Sequence, residues 1–315
     1  MVCYLVVTRK KMVKDIISLV IFKKAPDNLS GVFLIPKIIR GIIMKKRLGI
    51  LGVILVLIST VLIGCGEKEE KEDDVFKVGL EAGYAPFNWT QNDDSNGGVK
   101  IDGSSEYAGG YDVEIAKRIA EGLGKELVVV KIEWDGLLPA LESGVIDAIA
   151  AGMSPTEERK KSIDFTDRYY KSDLVMVVKR GSEYEDANSI QDFNGAKVTA
   201  QLSTFHYTVI DQIDGVIQEE AMSDFSAMRV ALESGIIDGY VSERPEAISA
   251  SNANDNLVMV EFEDGFETSE EDTAVAAGLK KGSELREKIN EVLSEISEEE
   301  RQEIMDEAIL NQPSN

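Results

Sequence analysis

The sequence predicts an α/β protein built as two similar lobes, and three observations carry that expectation. An eight-residue stretch occurs twice, as Ala140-Leu-Glu-Ser-Gly-Val-Ile-Asp147 and, 91 residues on, as Ala231-Leu-Glu-Ser-Gly-Ile-Ile-Asp238. Each copy reads as a helix end closed by a glycine, where no Cβ opposes a left-handed backbone, followed by a short apolar strand. Strand and helix periodicities also alternate along the chain, the pattern of mainly parallel sheets with helices on both faces. Finally, 315 residues of 43% hydrophobic composition can bury two cores of ordinary size. Two lobes enclose a cleft, the usual seat of a small ligand.

The first 74 residues read as an address rather than as fold. Met44-Lys-Lys-Arg47 and the uncharged run from Leu48 to Ile63 have the charge and apolarity of a secretory signal. The run is 16 residues, short of the ~20 that span a bilayer comfortably. It ends at Leu62-Ile63-Gly64-Cys65, which resembles a bacterial lipobox. The resemblance implies cleavage before Cys65, palmitate on that cysteine and a protein held on the outer face of the cell membrane. Residues 1–43 precede a complete signal and are expected to be a non-native upstream extension, with 44–64 the lipoprotein signal peptide and 65–74 an acidic, solvated tether.

Phe76–Leu80 reads as a strand and the polar, Gly-rich stretch from Gln91 to Gly110 as a long loop. Val113, Ile115, Ala116, Ile119 and Ala120 recur at helical spacing within Tyr111–Leu123, which Gly124 stops. Leu127–Ile132 reads as a buried strand, Trp134–Ser143 as a helix and Ala148–Ala151 as a strand. Pro155 sits early in a helical turn running through Arg159, where its missing N–H costs nothing. Leu174–Lys179 is an apolar strand, and polar Arg180–Asn188 is the expected crossing point between lobes. Beyond it the pattern restarts with strands at Lys197–Ala200, Gly239–Val241 and Leu257–Val260, and helices at Phe205–Gln212, Phe225–Glu233 and Pro245–Ala253. Ala274–Leu279 is expected to return the chain to the first lobe. A helix at Ser283–Ser294 follows, then Ser297-Glu-Glu-Glu300, a capping box opening a last amphipathic helix. The implied division is 75–176 for the first lobe, 177–272 for the second and 273–315 for the return and C-terminal helices.

Charge and composition exclude several functions. Residues 1–64 hold 11 Lys and Arg against 2 acids, which leaves 23 basic and 55 acidic residues beyond them and a net charge of −32 there. Such a surface repels phosphate backbones, so no nucleic-acid partner is expected. Cys3 and Cys65 both lie outside the globular part, and His206 is the only histidine. No metal site and no cofactor are therefore expected. A lone histidine usually serves packing or the surface.

Four motifs in order become specific: Tyr111-Asp-Val-Glu-Ile-Ala116, Trp134-Asp-Gly-Leu-Leu-Pro139, Ala151-Gly-Met-Ser-Pro-Thr-Glu-Glu-Arg159 and Ile163-Asp-Phe-Thr-Asp-Arg-Tyr-Tyr170. Over about Val75 to Asn311 the chain resembles the family-3 solute-binding proteins, the polar amino-acid-binding proteins of bacterial ABC importers. The resemblance implies a two-lobed periplasmic-binding-protein fold of type II with two crossover strands, closing on a free amino acid and passing it to an ABC permease, as a monomer. Arg159 matches the carboxylate-binding Arg, whose guanidinium fork suits that group. Gly152 and Ser154 match positions where a carbonyl and a hydroxyl meet the ligand. Glu243 matches the acid that binds the ammonium, commonly Asp, although it also reads as the N-terminal acid of the next helix. Tyr84 and Tyr111 match aromatics that sandwich the side chain. Ser203, Thr204 and Phe205 occupy the place of a Gly-Thr-Thr segment whose backbone N–H groups bind the carboxylate. Glu81 matches an acid that contacts the distal group of basic ligands.

Those charges favour a cationic amino acid such as lysine or arginine, with glutamine or another polar neutral one close behind. No nucleophile–base pair or cofactor loop speaks for an enzyme, although some dehydratases share the fold. A tethered amino-acid sensor would present the same pocket.

Overall fold

The computed structural model describes residues 74–313. The expectations for the signal, Cys65 and most of the tether concern residues outside that range.

Two five-stranded sheets are built to one plan. β1 (Val75–Leu80), β6 (Glu126–Lys131) and β7 (Ala148–Ile149) form a parallel trio, extended antiparallel by β14 (Ala274–Lys280) and β8 (Ile163–Lys171), in the order β6-β1-β7-β14-β8. β10 (Lys197–Thr199), β11 (Ile217–Gln218) and β12 (Gly239–Glu243) form the second trio, extended antiparallel by β9 (Leu174–Lys179) and β13 (Leu257–Val260), in the order β11-β10-β12-β9-β13.

The repeated octapeptide occupies equivalent places in the two lobes. It ends α2 (Trp134–Ser143) before β7, and α5 (Phe225–Glu233) before β12. Gly144 and Gly235 adopt φ of +80° and +73°, a region that only glycine enters at no cost. The closing aspartate does the same work twice. Asp147 accepts from the Lys77 N–H at 2.8 Å and Asp238 from the Lys197 N–H at 2.9 Å, stitching each loop to the neighbouring strand.

The chain changes lobes at residues 172–173, between β8 and β9, and returns between β13 and β14. The two passages touch, because the Ser172 N–H donates to the Thr273 carbonyl at 3.0 Å. The crossing expected at Arg180–Asn188 and the division at residue 176 therefore fall too late: all of β9 is in the second sheet. Its continuous apolar run fits a central strand and carries no mark of the boundary before it.

Other expectations need correction. The stretch Gln91–Gly110 is not one loop. Together with β2 (Gly83–Tyr84) and β3 (Asn88–Gln91), its strands β4 (Val99–Lys100) and β5 (Tyr107–Gly109) make a small antiparallel sheet that buries Trp89, Ile101 and Ala108. β6 lies at a sheet edge, and of its six residues only Val129 is buried. The helical turn after Pro155 starts at Arg159 and runs to Ser162 as α3. Ser297 caps the last helix by accepting from the Glu300 N–H at 3.1 Å, but the Glu300 carboxylate turns to Arg118 rather than back to the cap.

Helices α1 (Tyr111–Gly122), α8 (Leu285–Glu295) and α9 (Glu298–Asn311) belong to the first lobe, and α6 (Arg244–Ala253) to the second. One apolar cluster runs from Phe76 and Ile115 in the first lobe through Tyr84 and Phe87 to Phe225 and Tyr240 in the second. Among the described residues no helix is long and apolar enough to cross a membrane.

Candidate ligand-binding cleft

The C-terminal ends of the parallel strands in both lobes meet at the cleft, which is where open α/β sheets bind ligands. From the first lobe, β1 delivers Glu81 and β7 leads through Ala151 and Gly152 to Ser154 and Arg159. From the second, β10 leads to Gln201 and the short helix α4 (Phe205–Thr208), and β12 ends on Glu243. Tyr84, Trp134, Gly152, Ser154, Arg159, Gln201, Thr204, Phe205, His206 and Glu243 line a small, tight cavity. Past Arg159, Thr204 and Phe205 lies a wider one.

Arg159 joins the lobes. Its Nη1 donates to the Ser154 carbonyl at 2.9 Å, its Nη2 donates to the Ser203 carbonyl at 3.2 Å, and its guanidinium lies 5.0 Å from the centre of the Trp134 ring. Burial lowers it to about 10, so it stays charged at neutral pH. Ser203 holds φ +59°, a left-handed turn that aims this carbonyl at the guanidinium.

Two carboxyls sit buried nearby without a Lys or Arg partner among the described residues. Glu81 is approached only by the Gln201 amide, at 3.4 and 3.5 Å. Burial pushes it up to about 7, with Asp224, Glu133 and Asp112 adding repulsion against the opposing Gln201 contact. Glu243 is pushed up to about 8 by burial and then by Glu246. Its Oε1 lies 3.3 Å from His206 Nε2, close but not aligned as a hydrogen bond, and its Oε2 has no partner. Glu246 is firmly held behind it, accepting from Ser242 Oγ at 2.5 Å and from Arg229 Nη2 at 2.6 Å.

A buried network supports the Gly152 wall. Asp112 accepts from the Tyr169 hydroxyl at 2.6 Å, from Asn88 Nδ2 at 2.8 Å and from the Gly152 N–H. Burial outweighs these bonds and raises Asp112 to about 7. Gly152 itself has φ +60°, and a Cβ there would come within 2.5 Å of the Tyr84 ring.

The model of the bacterial extracellular solute-binding proteins, family 3, matches residues 76–310. The chain belongs to that family. The arginine-binding extracellular protein ArtP of Bacillus subtilis is 28% identical over 81% of this chain and 94% of its own length. The "Probable histidine-binding protein" of Campylobacter jejuni is 33% identical over 55% of this chain, and the match spans 65% of that protein. An ancestral arginine-binding protein has been solved with arginine and with glutamine. The arginine structure is 32% identical, has a TM-score of 0.60 and covers 74% of this chain and 97% of that one; the glutamine structure is 30% identical, with a TM-score of 0.59 and coverage of 73% and 96%. The fold is accordingly the two-lobed type II periplasmic-binding-protein fold.

In this family-3 chain the cleft gathers Tyr84, Gly152, Ser154, Arg159, Thr204, Phe205 and Glu243 around one cavity, with Glu81 beside it through Gln201. Ser203 lines the outer cavity and offers its carbonyl to Arg159. Tyr111 does not face the cleft: it is wholly buried, and its hydroxyl donates to the Tyr169 carbonyl at 2.7 Å. Its position at the start of α1, against the hydrophobic core, makes it a packing residue. Tyr84 is not open on both faces either, being stacked between Phe87 and Phe225 with ring centres 4.9 and 4.4 Å away. It offers the cavity a ring edge and an unpartnered buried hydroxyl. Sequence reasoning passed over Trp134, Gln201 and His206 as lining residues. The lone histidine is no surface residue, since it is 4% exposed and faces the cavity.

Proposed function

We propose that this solute-binding protein captures one free amino acid between its lobes, favours a cationic side chain such as that of arginine or lysine, and delivers it to the permease of an ABC importer. The observation that carries the reading is the charge arrangement of the cleft. Two buried carboxyls, Glu81 and Glu243, have no Lys or Arg partner among the described residues, while one buried guanidinium, Arg159, has donors to spare. A basic amino acid bears two cations and one carboxylate, the complement of that set. Buried charges demand such pairing.

In this reading Arg159 takes the α-carboxylate, helped by the Ser154 hydroxyl and the backbone of Thr204. Glu243 takes the ammonium with the Gly152 carbonyl, and Glu81 the distal cation. Tyr84, Trp134 and Phe205 cover the apolar stem. Binding closes the lobes about the adjacent passages at Ser172 and Thr273. The protein works as a monomer by capture and release, with no chemical step, from the outer face of the membrane. Its anchor is the lipid on Cys65.

The test is a thermal-shift panel of the twenty amino acids on protein stripped by unfolding and refolding. A ligand at 100 times its Kd adds about 2.7 kcal/mol of stability. The largest shifts are expected from arginine and lysine. A larger shift from glutamine moves the side-chain preference, and no shift from any amino acid overturns the capture reading. For the anchor, Cys65→Ala is expected to abolish palmitate labelling, and unchanged labelling rejects it.

A further inference from the structure

Among the described residues seven buried side-chain polar atoms lack a hydrogen-bond partner, and four of them, the Tyr84 hydroxyl, both ring nitrogens of His206 and Glu243 Oε2, belong to residues lining one cavity. Three of the four sit on the adjacent pair His206 and Glu243. Both side chains are almost fully buried, at 6% and 5%.

The charges around the pair act in one direction. Arg159, from α3, disfavours an imidazolium at His206. Glu246, from α6, disfavours a carboxylate at Glu243, while Arg229 of α5 and Tyr240 of β12 are committed to Glu246 itself. Tyr84 of β2 brings only a neutral hydroxyl. Burial disfavours both charges as well. The balance therefore leaves a neutral imidazole beside a protonated carboxyl until a cation arrives.

We infer that His206 is a positioning residue for the ligand's ammonium, holding Glu243 toward the cavity so that ligand capture displaces the Glu243 proton to water. The carboxyl O–H bond breaks, the proton leaves to bulk solvent, and the ammonium takes its place at Oε2. At Glu243 one positive charge replaces another, while the ligand's carboxylate answers Arg159, so the cleft as a whole loses one unit of positive charge. The imidazole stays neutral, and in the tautomer that carries its hydrogen on Nε2 it donates to Oε1 of the new carboxylate. The shifts agree in sign: Glu243 lies up at about 8 and His206 down at about 3. The inference rests on the capture reading but not on the side chain of the ligand, because every amino acid brings the same backbone ammonium.

The experiment is titration calorimetry of the full chain with L-arginine and with L-glutamine at several pH values between 5.5 and 7.5, each in buffers of low and high ionisation enthalpy. Release of close to one proton is expected with glutamine and at least as much with arginine. Affinity for glutamine is expected to rise by up to about tenfold per pH unit, the slope that one displaced proton imposes, and affinity for arginine at least as steeply. His206→Phe removes the partner of Glu243 and is expected to weaken binding at least about tenfold at pH 6.5, whereas His206→Gln, whose amide can donate to Oε1, stays within about threefold of the parent. A flat pH profile without proton release overturns the inference, as do equal losses in both variants with the parent's pH slope, which mark a purely structural residue. A chain that binds neither ligand fails in the amino-acid panel first, and the capture reading then falls with it.

Discussion

Replacing Arg159 by alanine removes the one Lys or Arg that lines the cavity among the described residues, and the geometry sets how much that costs. A guanidinium has five coplanar N–H donors. Two are spent on the Ser154 and Ser203 carbonyls at 2.9 and 3.2 Å, which leaves three, enough for a carboxylate taking two side by side. A hydrogen bond to a charged group contributes about 1.5–3 kcal/mol. Some of that loss is offset because the freed carbonyls rehydrate in the space left behind. A net loss of at least about 2 kcal/mol follows, roughly thirtyfold in Kd. Arg159→Lys keeps a charge, but one ammonium cannot serve two carbonyls and a carboxylate in a plane, nor stack over Trp134. It is expected to recover less than half of the loss. Calorimetry with L-arginine measures both, with circular dichroism melts to establish that each variant is folded. Unchanged affinity in a folded alanine variant would refute the carboxylate role, and full recovery by lysine would refute the fork.

Glu81→Gln keeps shape and hydrogen-bonding capacity while removing charge, so it is expected to weaken arginine and lysine by about 1.5–3 kcal/mol and glutamine hardly at all, a split that parallel titrations read directly; a uniform loss contradicts it. The ligand-free protein is expected to melt at lower temperature as the pH rises from about 6.5 to 8. Glu81 and Asp112, raised to about 7, and Glu243, raised to about 8, hold protons in the folded state that the unfolded chain has released, so their stabilisation is present at low pH and lost on titration. His206, lowered from 6.5 to about 3, is neutral in the folded state but half charged in the unfolded chain at pH 6.5, so it opposes the trend by only about 0.4 kcal/mol, less than the three acids contribute. Calorimetric melts showing a rise over that window would contradict the burial of these acids. Tyr111→Phe leaves the Tyr169 carbonyl without its 2.7 Å donor and is expected to cost about 1–2 kcal/mol of stability. Its affinity for arginine should stay within about twofold, and a large loss of binding would return Tyr111 to the cleft.

Much of the fold was legible because it depends on local signals. The octapeptide repeat carries its own Gly turn and its own aspartate, so the likeness of the lobes could be read before any contact was known. Periodicity likewise marks the helix at Trp134–Ser143 and the strand at Leu174–Lys179, with the bounds observed. What stayed hidden depends on partners distant in sequence. The lobe crossing falls at residues 172–173 because of which sheet β9 joins, and nothing within Leu174–Lys179 states that. β4 is two residues long and draws its order from pairing with β5. Within the site, Arg159, Gly152 and Ser154 were singled out by their motif, and all three line the cavity. Tyr111 was misplaced because an aromatic at a helix start packs inward or outward according to tertiary neighbours. His206 escaped because a single histidine has no sequence pattern; its burial between Arg159 and Glu243 exists only once the two lobes meet.

The most direct measurement is a crystal structure of the chain grown with L-arginine. The expected ligand has its carboxylate in the Arg159 fork, its ammonium on Glu243 and its guanidinium at Glu81. An arginine lying the other way round, or seated outside the cavity that Arg159 and Glu243 share, would contradict the charge complement on which the proposed function stands.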